Sequence, residues 1–542
     1  VKPWAKAKTV QQAGSPVMTV GMRLSVVVLA FVLFGTGCMK VGPDYVRPET
    51  AVRPNWLESD GARVTNGPAD YRAWWRVFHD PVLDRLVDKA YRQNLSIRVA
   101  GVRVLEARAQ VGIAVGQLYP QTQQAIGSLQ YNWESAHSYF AAAGISAYTQ
   151  DQIGVTANWE IDFWGKFRRA IESADATLKA TVADYDNALV SLTADVATNY
   201  ISIKTLEKRI EIARQNVETQ RESLKIAEAR FTYGTATERD VAQARTILND
   251  TEASVPALQI QLEQTGHALS ILLGLPPGDL REVLAGSSGI PVPPPEVAIG
   301  MPADLLRRRP DVRAAEYRAM AQGAQIGVAR ADLFPAFSLG GIFTLLSTDL
   351  GRSHLGDMLQ WASRNYVVGP SVQWNILNYG QITNNVRLQD ARFQELLITY
   401  QNTVLTAQQN VEDAIVAFLR SQERAGFLAK STESAKQSLG LAVDQYRGGI
   451  TDFTTVLTGE QSLLAEQDSF VSTLGNISSG LVAVYRALGG GWQIREGNDL
   501  IPPEVKEAMA KRTNWGDLLS PARYMPPEAE KPHRPLVRPP DW

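Results

Sequence analysis

Hydrophobic positions between Leu178 and Phe231 recur in alternating steps of four and three, through 182, 185, 189, 192, 196, 199 and onward to 231. Only Asn199 and Gln220 on this ladder are polar. A mean spacing of about 3.5 residues marks a helix packed along a left-handed seam against other helices. The same ladder shifted by 215 residues runs from Phe393 to Tyr446, with Ser421 and Thr432 as its polar exceptions. An unbroken helix over 166–231 would reach roughly 100 Å, at about 1.5 Å per residue.

A different period appears in QIGVTANWEIDFW, residues 152–164. Ile153, Val155, Ala157, Trp159, Ile161 and Phe163 alternate with polar or small residues, which predicts a strand with one apolar face and one polar face. Residues 366–379 repeat the pattern with Val368, Val372, Trp374 and Ile376. Weaker strands are expected over 121–131 and 336–346, where Pro120 and Pro335 end the preceding helices. Each strand pair is separated by some 20 residues.

These elements belong to one unit written twice. LSIRVAGVRVLEARAQVGIAVGQLYP (95–120) aligns without a gap to PDVRAAEYRAMAQGAQIGVARADLFP (310–335), again a shift of 215. Gly165, Gly234 and Gly274 recur as Gly380, Gly449 and Gly489. The expected organisation is an N-terminal segment 38–93, repeat 1 over 94–275, a Pro-rich linker 276–308, repeat 2 over 309–492, and a Pro-rich, disordered tail 493–542.

Four strands per chain raise a physical problem. In lipid an open sheet edge is forbidden, so membrane strands must close on themselves, and closed barrels start at about eight strands. Several chains must then contribute: two would give a filled interior of about eight strands, three a lumen of about twelve. Glu160, Asp162, Gln373 and Asn375 fall on the polar face and are candidates to line that lumen. A half-buried sheet in a soluble protein remains the alternative from alternation alone.

Composition narrows the chemistry. The net charge of −2 gives no basic surplus for a nucleic-acid footprint. The five histidines are scattered without metal-ligand spacing, and no G-x-S-x-G, H-E-x-x-H or phosphate-loop pattern occurs. No enzyme, catalytic residue, metal or cofactor is expected. The single cysteine, Cys38, excludes an internal disulfide. It follows a basic stretch and the apolar run Leu24–Phe34, which at 11 residues is shorter than the roughly 20 a spanning helix needs. Residues 1–37 therefore resemble a bacterial lipoprotein signal. That resemblance implies cleavage before Cys38, acylation of its thiol (palmitate among the acyl groups), and, with Met39 following, sorting to the outer membrane.

Taken with CMKVGPDYVRP, RFTYGTATERDVAQA, LLRRRPDVRAAE, ADLFPAFSLGG, WNILNYGQ and ALGGGW, the chain over about 38–492 resembles the TolC-like outer-membrane efflux family, in its drug-efflux lipoprotein branch. The resemblance implies a mainly α fold with transmembrane β-structure: a homotrimer with a twelve-stranded barrel, continued by a long periplasmic α-helical barrel. It implies a channel that conducts small molecules passively, docked to a periplasmic adaptor and an inner-membrane pump, foremost of the RND type. A type I protein-secretion tunnel and a non-conducting envelope scaffold are the alternatives. By the same resemblance, the turns at Gly234, Thr235, Gly449 and Ile450 meet the adaptor, and Tyr446 and Arg447 latch a closed aperture. Where the family often carries an aspartate, this chain has Thr458. Asp452 is the candidate substitute, readable equally as a helix N-cap, and Thr454 completes the gate set.

Overall fold

The computed structural model describes residues 40–58, 64–65, 71–287, 289–298, 308–351 and 353–520. Cys38 and the leader-like segment lie outside the described residues. The described residues divide into two compact units, one built from 40–43, 117–170 and 326–386, the other from the remaining described residues.

The elements follow in order as α1 (Pro81–Gln93), α2 (Leu95–Gly116), β1 (Thr122–Trp133), β2 (Ala147–Ile161), α3 (Lys166–Thr232) and α4 (Glu238–Leu272). Then come α5 (Pro310–Ala331), β3 (Ala336–Thr348), β4 (Arg364–Gln373), α6 (Gln381–Arg447), α7 (Phe453–Ala487) and the short α8 (Pro503–Ala510). The bounds of α2, α3 and α4 reappear in α5, α6 and α7 shifted by 215 residues, the spacing read from the sequence. Local contacts recur at the same spacing. The Trp159 indole donates to the Leu118 carbonyl at 3.1 Å, and Trp374 donates to Leu333 at 3.1 Å.

In the first unit the strands form one antiparallel sheet in the order β1-β2-β3-β4. The loop joining β1 to β2 is shorter than expected, because both strands run on past the predicted ends and a helical turn, Tyr139–Ala142, fills the gap. The last strand is shorter than the expected 366–379. Pairing stops at Ala336 with Gln373, because Pro335 precedes β3 and leaves residues 374–379 without a ladder partner. On β2, pairing likewise stops at Ile161 with Phe337.

α3 and α6, whose residues from 171 and 387 onward belong to the second unit, are single helices of 67 residues each, and their ladder residues Tyr185, Leu189, Val196, Val404, Val411 and Phe418 are buried. Trp74 and Trp75 are buried in the same core, with Trp74 stacked on Tyr485 at 5.4 Å between centroids. Helix starts are capped as the sequence chemistry demands. Asp80 accepts from the Val82 and Leu83 amides ahead of α1, and Thr237 with Asp240 forms a reciprocal capping box at α4.

Residues 493–520, expected to belong to a disordered tail, are folded instead. Leu500, Ile501 and Met509 are buried, and the Leu500 carbonyl packs so closely on Gly101 that a Cβ there would lie 2.4 Å away. Arg495 enters the core to pair with the fully buried Asp186, which also meets Arg313 at 3.4 Å. Proline content pointed to disorder, but a few apolar residues and one arginine provide enough burial to order the segment. Residues 521–542 lie outside the described set.

Candidate functional site

The sheet is the first functional surface, and its register assigns every strand residue to a face. Directly paired residues share a face, so Ala125, Val155, Phe343 and Tyr366 form one row across all four strands. The rows Trp159, Leu339, Pro370 and Ile161, Phe337, Val372 lie on that same face. Away from its loop end, where Trp361 meets Phe343 and Ser347 bonds the His354 carbonyl, the face is largely bare: Val155 is 55% exposed, Tyr366 66% and Val368 72%. The opposite face carries rows such as Thr122, Asn158, Gly340 and Gly369. Asp151 and Arg364, the charged residues on the apolar face, sit near its loop end. A patch of this size left bare marks an interaction or membrane surface rather than a soluble exterior.

The four residues expected to line a lumen converge, though not in equivalent roles. Glu160, Asp162, Gln373 and Asn375 border one cleft of about 190 Å³ together with Lys166 and Asp332. Glu160 and Gln373 end the polar face of β2 and β4. Asp162 lies past the last paired residue and serves the following helix instead. Its carboxylate accepts from the Phe167 and Arg168 amides and from the Arg168 guanidinium, capping α3. With its side chain only 7% exposed, it is not a free lumen charge. Asn375 has left the sheet, following the strand's early end. Lys166, absent from the sequence expectation, is the centre of the cleft. Its ammonium lies 2.8 Å from Asp332 and 3.9 Å from Glu160. Burial works against the Lys166 charge, but these carboxylates outweigh it and hold its pKa above the ordinary lysine value.

The second surface is the pair of helix ends. Gly234 (φ +71°) and Gly449 (φ +77°) both close Schellman motifs. The Thr235 amide reaches back to the Arg230 carbonyl and the Ile450 amide to Gln445, at 2.8 and 2.9 Å. Tyr446 is buried here against Phe453, in a cluster with Ala227, Val241 and Val456. Burial pushes its phenol up. Arg447 is exposed, with Asp444 at 3.8 Å. Asp452 is the N-cap of α7, accepting from the Thr455 amide, so the capping reading holds. Thr454 is exposed, and Thr458 spends its hydroxyl on the Thr454 carbonyl. The nearest acid on α7, Glu460, is buried, and burial pushes its carboxyl up against the opposing influence of Ser223.

Sequence reasoning missed Arg230, which ties the two turns together. Its guanidinium lies 4.5 Å from the Tyr446 ring centroid and donates to the carbonyls of Tyr446 and Thr235. Its only sequence signal was a basic residue in the last turn of a helix. Arg230→Ala removes charge-assisted bonds together worth about 2 kcal/mol. The expected outcome is faster amide hydrogen exchange at Gly449 and Ile450; unchanged exchange would mean the arginine does not hold the turn.

Among the described residues no group of side chains suited to a metal ion occurs, and no helix is long and apolar enough to cross a membrane. A largely bare apolar sheet face carried on a mainly helical chain is a pattern that outer-membrane channels also present.

The comparisons agree. The model of the outer membrane efflux protein family matches twice, over residues 86–275 and 301–490. Nodulation protein T of Rhizobium leguminosarum is 31% identical over 472 residues, covering 87% of this chain and 94% of that protein. The pyoverdine export outer membrane protein OpmQ of Pseudomonas putida is 31% identical over 443 residues, covering 81% and 92%. Among solved structures, the outer-membrane channel OprN superposes with a TM-score of 0.77 at 32% identity, covering 84% of this chain and 99% of that one. The CmeC channel of Campylobacter jejuni, 23% identical, shares the fold at a TM-score of 0.77, covering 86% and 100%. The chain belongs to the outer membrane efflux protein family, and it is a protein of the outer membrane.

Proposed function

We propose that the protein is the outer-membrane channel of a tripartite efflux system, a passive duct for small molecules handed on by a periplasmic adaptor and an inner-membrane pump. Three copies close their four-stranded sheets into a twelve-stranded barrel, and the helical unit supplies the periplasmic part of the tunnel. A tandem duplication accounts for the 215-residue recurrence. Cys38 carries the lipid that anchors the mature chain. The Gly234 and Gly449 turns meet the adaptor, and Tyr446, held by Arg230, latches the closed end.

The observation that carries this reading is the apolar face of the sheet. Most of its side chains are exposed in the single chain, and among the described residues no strand pairs with the outer edge of β1 or of β4. Lipid satisfies the face and sister copies satisfy the edges; water satisfies the face poorly. The polar face then encloses a wet lumen.

Purified protein reconstituted in a planar bilayer is expected to give discrete unitary conductance, and an envelope scaffold would give none. Deletion of the gene is expected to raise susceptibility to small toxic compounds and leave the secreted-protein profile intact. Loss of a secreted protein without a change in susceptibility would favour a protein-secretion tunnel.

A further inference from the structure

The polar face of the sheet is polar without being charged. Among its strand residues Glu160 is the one charged side chain; the rest are amides, hydroxyls, glycines, Tyr148 and a few aliphatics. Charge is concentrated where the strands end. There Glu160, Lys166 and Asp332 share one cleft, while Asp162 and Arg168 neutralise each other at 2.9 Å. The second half lacks this feature: a shift of 215 residues turns Glu160 into Asn375 and Lys166 into Gln381.

We propose that the Glu160–Lys166–Asp332 cluster is a charge-balancing collar of the barrel, whose lysine offsets most of its negative charge so that solutes of either sign, and uncharged ones, pass. The inference rests on the trimeric duct proposed above. Each copy contributes two carboxylates and one ammonium, so the ring carries three net negative charges. Between collar and loop end the wall offers hydrogen-bonding groups and bare glycine backbone but no fixed charge. It discriminates by size and not by sign. A nearly neutral, polar-lined duct suits amphiphilic solutes of mixed charge better than a single ionic species.

The lysine governs the balance. Removing it doubles the net negative charge of the ring at a part-buried place, where the three side chains are 33–39% exposed and fields are less well screened than in open water. Unitary currents in a potassium chloride gradient read this directly. Lys166→Gln is expected to raise the potassium-to-chloride permeability ratio several-fold over the parent, and Lys166→Gln with Glu160→Gln to return it towards the parent. Glu160→Gln alone, which leaves the Lys166–Asp332 pair intact, is expected to lower the ratio. Comparing variants on one gate cancels whatever selectivity the helix ends contribute. A ratio unmoved by both Lys166→Gln and Glu160→Gln overturns the collar. Should Lys166→Gln fail to assemble, Glu160→Gln decides alone. Absence of any conductance from inserted, trimeric parent protein would instead overturn the channel reading.

Discussion

Val155→Arg is expected to abolish assembly in the membrane, whereas Thr156→Arg, one residue on, is expected to be tolerated. Val155 lies mid-strand on β2, in the apolar row with Ala125, Phe343 and Tyr366, and is 55% exposed in the single chain. Arginine on the lipid face of a barrel costs about 2–4 kcal/mol near the midplane. Three copies would bring that to about 6–12 kcal/mol per barrel, comparable to the whole stability of a typical domain. Thr156 pairs with Gln124 and Ile342 on the opposite face, where an arginine meets water. The measurement is recovery of heat-modifiable trimers from outer-membrane fractions. Equal recovery of both variants would mean the apolar face does not meet lipid.

The second large effect concerns Arg495. Asp186 is fully buried, and its carboxylate is held by Arg495, with Arg313 further off at 3.4 Å. Burial pushes the Asp186 carboxyl up, and Arg495 is the chief opposing influence. Arg495→Ala leaves that carboxylate with one distant partner, and breaking a buried pair in this way costs about 3 kcal/mol or more. The loss is pH-dependent with a definite sign. Without Arg495 the folded-state pKa rises further above the unfolded value, so the deficit is small below the ordinary aspartate range, where Asp186 is neutral in both states. It grows as pH rises through the elevated pKa. Denaturation of the detergent-solubilised variant at low and neutral pH checks this, together with protease cleavage within 496–520. Asp186→Asn combined with Arg495→Met should recover much of the loss, because the fully buried pair is then gone from both sides and Arg313, 19% exposed, keeps some contact with water.

Both effects lie in places the sequence described unequally. The alternation in 152–164 identified the face of β2 on which Val155 stands, because side chains in a strand alternate strictly and one residue's shift reverses every one of them. The ladder of apolar residues reached the C-terminal ends of α3 and α6 to within one residue, 231 against 232 and 446 against 447, for a similar reason: a long seam over-determines its own phase. Arg495 gave no such signal. It lies in a proline-rich stretch, and its partner Asp186 is 309 residues away along the chain.

The collar shows the same division within one site. Glu160, Asp162, Gln373 and Asn375 were legible as polar alternates, and all four border the same cleft. Alternation could not say where the ladder would stop. Pro335 and the register of β3 decided that, leaving Asp162 to cap a helix and Asn375 outside the sheet. Lys166 and Asp332 escaped notice because each is an ordinary charged residue in its own segment. Only the pairing of β2 with β3 brings the segments that follow and precede them together.

At the helix ends, Gly234 and Gly449 were readable because a left-handed residue closing a helix is a local requirement that glycine meets best. Arg230 was not, because its partners on the Tyr446 turn depend on two distant helix ends arriving side by side. By itself, then, the sequence determined what local periodicity and backbone preference control: the long helices, the two-faced strands, the turns between them and the 215-residue recurrence. The tertiary structure alone decided which charges meet, which carboxylates are spent on caps, and where each strand loses its partner. Those outcomes are set by register and by contacts between residues far apart in the chain, which no local pattern encodes.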